Sequence, residues 1–179
     1  LELVVESLAD AAPLKRILAT IEARGLILRR MCLDTGEASL RPAGAEEEFS
    51  YDGRSLTKIF GPRWRLLLIG AGQLSRFVAQ MGLALDYEVI VCDPRPEIAE
   101  PWRVEGTVLD KRMPDDAVRE LAHERCAVLA LMHDPKLDDL ALLEALITPA
   151  FYIGALGSHA SNDKRRARLA SFGAPRGSL

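Results

Sequence analysis

Five residues, Arg65-Leu66-Leu67-Leu68-Ile69, run without interruption into Gly70-Ala71-Gly72, and a helical pattern follows. That order constrains the chain severely. A strand this apolar must be covered on both faces. A glycine turn opening directly into a helix sends the chain back across a sheet while leaving backbone amides at the strand's end. The unit then recurs. Glu88 to Cys92 ends in Asp93-Pro94-Arg95-Pro96, and a weak third strand lies near residues 107–109. A fourth, 127–132, stops at His133-Asp134-Pro135, and a fifth, 151–153, leads into Gly154-Ala155-Leu156-Gly157-Ser158. Between these runs, apolar residues recur at helical spacing. One set is Leu74, Phe77, Val78, Met81 and Leu85; a second is Val118, Leu121 and Ala122 behind Pro114-Asp115-Asp116; a third is Leu140, Leu143 and Ile147. A basic helix over 161–171 closes the series.

This alternation predicts an α/β fold, a doubly wound and mostly parallel sheet with helices on both faces. Right-handed crossovers give the order 3-2-1-4-5. The loops after strands one and four then flank the crevice where the order reverses, with the loop after strand five beside them.

The first forty residues read differently. Leu1 to Val5 alternates like a strand, Pro13 is placed to open a helix with Leu14, Ile17, Leu18 and Ile21 on one face, and Gly25 is placed to end it. Leu26-Ile27-Leu28 is extended again, and Asp34-Thr35-Gly36-Glu37 turns the chain toward a partner strand ending near Leu40. From 41 to 62, Pro42, Gly44, three successive glutamates, Asp52-Gly53 and Gly61-Pro62 break the periodicity. The expected organisation is a partial N-terminal α+β section over 1–40, a connector over 41–62 with one short extended piece near 49–51, and the α/β domain over 63–179. The chain's opening residues suggest a start partway through a longer protein.

Composition narrows the function classes. With 49% hydrophobic and 27% charged residues the chain is globular in type, and a net charge of −3 with no basic stripe gives no reason to expect nucleic acid. No apolar run approaches the roughly 20 residues of a membrane span. Cys32, Cys92 and Cys126 form no CxxC pair and read as reduced, partly buried thiols of a cytoplasmic protein. No HExxH pair, ordered Ser–His–Asp set or Cys/His metal cluster is present, so no catalytic or metal residue is assigned.

The crevice loops hold the candidate binding residues. Gly70 suits the tight turn, Ala71 follows it, Gly72 lets a phosphate approach the backbone, and the amides of Gln73 and Leu74 point outward at a helix start. Ser75 stands where a third glycine is usual. Asp93, about twenty residues on, suits a ribose diol or merely an Asx turn, and Arg95 an extra phosphate. His133 and Asp134 put two titratable groups at the crevice, or else a solvated ring and a helix cap. Asp138 and Asp139 fall in the next helix's first turn. Gly154, Gly157 and Ser158 form a second loop able to bare amides. Lys164, Arg165, Arg166 and Arg168 read as a solvated face. These residues leave open an NAD(P)-dependent oxidoreductase and a nucleotide-binding regulatory module.

Taken together, the strand and glycine loop at 65–72, Asp93-Pro94-Arg95, His133-Asp134-Pro135-Lys136-Leu137-Asp138 and Tyr152-Ile153-Gly154-Ala155-Leu156-Gly157-Ser158 resemble the Rossmann domain of the xanthine dehydrogenase accessory factor family (XdhC/CoxF). The resemblance covers most of 63–172, and residues 1–40 resemble the end of that family's smaller N-terminal domain. It implies a maturation factor, an accessory protein rather than an enzyme. Such a protein binds molybdenum cofactor, as molybdopterin or its nucleotide form, and shields it while a sulfur-transfer partner installs a sulfur ligand. It then passes the cofactor to an apo-molybdoenzyme of the xanthine or carbon monoxide dehydrogenase type. Family members commonly associate, which makes a homodimer the expectation. The chain departs from the family's pattern at Gln73, often His there, and at Met132, often Thr. The family's early glycine- and cysteine-containing motif and its late Thr-Pro segment are absent.

Overall fold

The computed structural model describes residues 3–6, 10–44 and 47–173, and the chain divides at Pro62 into two units. In the first, Pro13 sits in the opening turn of α1 (Ala12–Glu22), where its missing N–H has no helical partner to lose. Ile17 is the position α1 buries, while Leu14 and Leu18 stay exposed. The helix ends on a left-handed residue, but that residue is Arg24 (φ 61°) and not Gly25. Gly25 lies one place further on, where its amide donates to the Thr20 carbonyl at 2.8 Å.

Four strands follow: β1 (Ile27–Cys32), β2 (Ala38–Pro42), β3 (Ser50–Tyr51) and β4 (Ser55–Phe60). They form an antiparallel sheet ordered β2-β1-β4-β3. Residues 41–62 are therefore not simply a connector. They carry β3 and β4, and β4 pairs with β1 from Ile27–Phe60 to Cys32–Ser55. No residue of β4 is fully buried, so it lacks the apolar run that marks a strand covered on both faces. The strand expected at the very start does not form over residues 3–6, where Leu3 and Val5 stand in solvent. Leu1 and Glu2 lie outside the described residues.

The second unit is the doubly wound sheet. Strands β5 (Arg65–Ile69), β6 (Glu88–Cys92), β7 (Val108–Asp110), β8 (Cys126–Ala130) and β9 (Tyr152–Ala155) are all parallel and ordered β7-β6-β5-β8-β9. Leu67 lies between Ile90 and Val128 in register. Leu67, Ile69, Cys92 and Val128 face a core shared with α4 (Pro114–Leu121) and α5 (Pro135–Ala145). Leu66, Leu68, Val91 and Ala127 face the opposite core, closed by α2 (Gln73–Ala84) and Trp102. The described residues of the unit also include the short α3 (Pro96–Ala99) and α6 (His159–Ser171).

Two helices bury a different face from the one their large apolar residues mark. Helix α2 rests on Ser75, Ala79 and Gly82, while Leu74, Phe77, Met81 and the following Leu85 are 39–72% exposed. The approach is closest at Gly82, where a Cβ would lie 2.7 Å from Leu66 Cδ2. Ser75 packs there fully buried, its hydroxyl without a partner among the described residues. In α5 the buried positions are Asp138, Asp139, Ala141, Leu142 and Ala145, while Leu140 and Ile147 are exposed.

Candidate functional site

Strand order brings the ends of β5, β6 and β8 together. At the first of these, Gly70 has φ 111°, which disfavours any side chain. A Cβ there would also sit 2.9 Å from Met132 Cα, so glycine is required twice over. Its amide donates to the Cys92 carbonyl at 2.7 Å, locking the turn onto β6. Ala71 is buried and donates its amide to Asp93 Oδ2 at 2.9 Å. Gly72 differs. Its backbone is ordinary (φ −77°, ψ −176°), and nothing lies within 4 Å of where a Cβ would project. The fold does not demand glycine at 72. Among the described residues the amides of Gly72, Gln73 and Leu74 donate no hydrogen bond, the usual condition of a helix's first turn. They open beside a cavity of about 570 Å³ bordered by Arg76, Phe77, Glu97 and Ile98.

At the end of β6, Asp93 is fully buried and wholly engaged. Arg95 donates its amide and Nε to Oδ1 at 3.1 and 2.9 Å, and its Nη2 to Oδ2 at 2.9 Å. Burial alone would raise the pKa of this carboxyl. The Arg95 side chain, the Ala71 amide and the Arg95 amide outweigh burial and hold it below the usual carboxylate range. The same bond to Asp93 raises Arg95. Asp93 therefore braces the glycine turn, and does not offer free oxygens to a ribose diol as the sequence allowed.

At the end of β8, His133 is exposed and left-handed (φ 58°), a conformation uncommon for any residue with a Cβ. Asp134 caps α5, accepting from the Lys136 and Leu137 amides at 2.9 and 3.3 Å. The cap explains Asp134 without a ligand, the alternative that its position before Pro135 already offered.

The segment 154–158 does not form one open loop. Gly154 belongs to β9, where a Cβ would meet Tyr152 and Leu129 at under 3 Å. Gly157 lies against Asn162, which donates Nδ2 to its carbonyl, and Ser158 caps α6 by accepting from the Ser161 amide at 3.2 Å. Gly154 thus packs within the strand and Ser158 caps α6, while 156–158 link the two.

Sequence reasoning missed what holds the β8 end. Asp138 is 1% exposed, accepts the Met132 amide at Oδ1 (3.2 Å), and faces Arg165 of α6 at 3.6 Å. Arg168 binds Asp139 at 2.5 and 3.1 Å, so two of the four basic residues of α6 are tied inward rather than solvated. Burial pushes the Asp138 carboxyl up, against the Met132 amide and the Arg165 and His133 charges. Arg165 also reaches the Leu156 carbonyl at 3.3 Å, joining the segment after β9 to the same cluster. A signal existed: Asp138, Leu142 and Ala145 share one helix face at i, i+4 and i+7, which places a carboxylate on a buried stripe.

Cys92 and Cys126 are buried, and desolvation pushes their thiols to about 12 and about 11, so neither is a thiolate near neutrality. No group of three or more metal-binding side chains occurs among the described residues. No helix among them is long and apolar enough to cross a membrane.

Residues 66–179 match the family model of the XdhC Rossmann domain. No curated protein matches. Among solved structures, the chain is similar to one described as a xanthine dehydrogenase from Bacillus halodurans, with 22% identity and a TM-score of 0.67. That alignment covers 92% of this chain and 57% of the other, so the chain spans little more than half of that protein. A looser likeness, TM-score 0.46 at 19% identity, joins it to the TrkA-N domain of the inner membrane protein ybaL from Escherichia coli, over 63% of this chain and 84% of that one.

Proposed function

The chain belongs to the family of the XdhC Rossmann domain, and from that premise we propose that it is a maturation factor for molybdoenzymes of the xanthine dehydrogenase type. In this reading it holds molybdenum cofactor by its phosphate-bearing tail and hands it to the apo-enzyme. The observation that carries the reading is Gly72. Neither backbone strain nor a neighbouring side chain demands glycine there, yet the space beside it is open and bordered by partnerless amides. A residue kept free of a side chain for no internal reason is what close approach of a ligand to the backbone requires. The residues present fit an anionic tail. The amides of Gly72, Gln73 and Leu74 would donate to its oxygens, and the positive end of α2 would favour its charge by about 0.3–1 kcal/mol, more where water is excluded. When bound, the cofactor would supply the metal-dithiolene chemistry of the recipient enzyme, with this chain sheltering it. A sulfur-transfer partner belongs to the same reading.

The test is retention of molybdopterin by purified protein through gel filtration. Gly72→Asp introduces no internal clash, so the fold should persist, while its carboxylate repels the tail and retention should fall at least tenfold. Equal retention by the two proteins would remove the glycine loop from the site.

A further inference from the structure

We infer that Arg95 is a specificity residue of this crevice, because it holds the carboxylate that a ribose diol would need. Where a doubly wound sheet takes a dinucleotide, an acid at the end of the second strand turns free oxygens toward the ribose hydroxyls. Asp93 occupies that place in this sheet, at the end of β6 beside β5. Its oxygens are already used. A carboxylate offers about four lone-pair sites, and four N–H groups meet them here. The Arg95 amide and Nε fill Oδ1, and the Ala71 amide and Arg95 Nη2 fill Oδ2, all between 2.9 and 3.1 Å. A diol reaching the end of β6 therefore finds no free oxygen on Asp93. It meets instead a guanidinium whose side chain is 28% exposed, against 0% for Asp93.

The lock is hard to open. Three of the four bonds come from one residue two places along the chain, two of them from a planar fork that matches a carboxylate. Swinging the Arg95 side chain aside would leave a buried charge held only by the Ala71 and Arg95 amides. The crevice consequently refuses a nucleotide presenting a free vicinal diol at this point and favours a ligand presenting phosphoryl oxygens to Arg95. The second half of that statement rests on the function proposed above; the refusal of the diol does not.

NADH, followed by its fluorescence, is the probe for the diol, and NADPH, whose 2′ position carries phosphate, is the control. Both are titrated into the wild-type chain, Arg95→Ala and Arg95→Lys, with melting curves on the same samples. The wild type should bind NADH no tighter than millimolar. Arg95→Ala removes the two side-chain bonds, opening one site on each Asp93 oxygen, and should bind NADH at least tenfold tighter, with no gain for NADPH, and Arg95→Lys should fall between. Micromolar NADH binding by the wild type overturns the inference, as does equal NADH affinity in all folded variants. Should Arg95→Ala lose its cooperative melt, Arg95→Lys decides alone, since it keeps the charge beside Asp93 but not the fork. Molybdopterin retention on these samples keeps the two ideas apart: loss of pterin binding by the wild type would defeat the proposed function, and the NADH gain would still judge Arg95.

Discussion

The clamps at the ends of β6 and β8 place an aspartate in the same setting, sealed from solvent beside a strand end and an arginine, and treat it in opposite ways. Asp93 receives four N–H donors at hydrogen-bond distance, and its carboxyl is held down. Asp138 receives one amide, with its arginine standing off at 3.6 Å, and burial pushes its carboxyl up. Burial is common to both. The difference is whether donors reach the oxygens closely enough to replace lost hydration. An arginine two residues away in the chain achieves this, and one reaching across from another helix does not.

The largest effect should come from cutting the tighter clamp. Asp93→Ala leaves the Arg95 charge and the Ala71 amide facing a void, and should cost about 3–5 kcal/mol, the range for breaking a buried charge pair from one side. Asp138→Ala should cost less, about 1–3 kcal/mol, the range for a lost buried hydrogen bond. Urea unfolding of the two variants measures both, and the reverse ranking would refute the comparison.

A finer effect lies in the pH dependence. An unfolded aspartate titrates near 3.9, and Asp93 is held below that when folded, so its contribution is full above about pH 4 and drains as pH falls through the folded value. Asp138 is held above it. The folded chain takes up that proton first, and ionising it erodes stability as pH rises from about 4 through the folded value. Asp93→Asn should therefore flatten the stability curve below about pH 4, and Asp138→Asn should flatten the limb above it. Superimposable curves for the two variants would show that the two sites titrate alike. The smallest expected effect is at the outer arginine. Arg168 is 40% exposed in its pair with Asp139, and Arg168→Ala should change stability by no more than about 1 kcal/mol.

The parallel sheet was legible because strands covered on both faces must be apolar throughout, as Arg65–Ile69 and Cys126–Ala130 nearly are, and because handedness leaves few orders to consider. β4 was not legible, since a strand with no fully buried residue carries no such run. Helix α2 misled because large apolar residues mark a face that can be buried, whereas the residues it buries are Ser75, Ala79 and Gly82, the last so close that a Cβ would meet Leu66 Cδ2 at 2.7 Å. In the site, the glycine turn followed from local backbone needs that sequence expresses directly. The engagement of Asp93 did not, because a free acid and a clamped one read alike until Arg95 is seen to fold back onto it. Asp138 escaped for a related cause. Its partners, Met132 and Arg165, are brought to it by the turn after β8 and by α6, and spacing along one helix cannot show them.

The close seating of α2 has a mechanical corollary. One added methyl at residue 82 would press on the side-chain tips of Leu66 and Val89, and unless those tips turned aside the helix that begins at Gly72, Gln73 and Leu74 would have to shift. A contact ten residues from those amides, under the helix's far end, thus bears on where they sit.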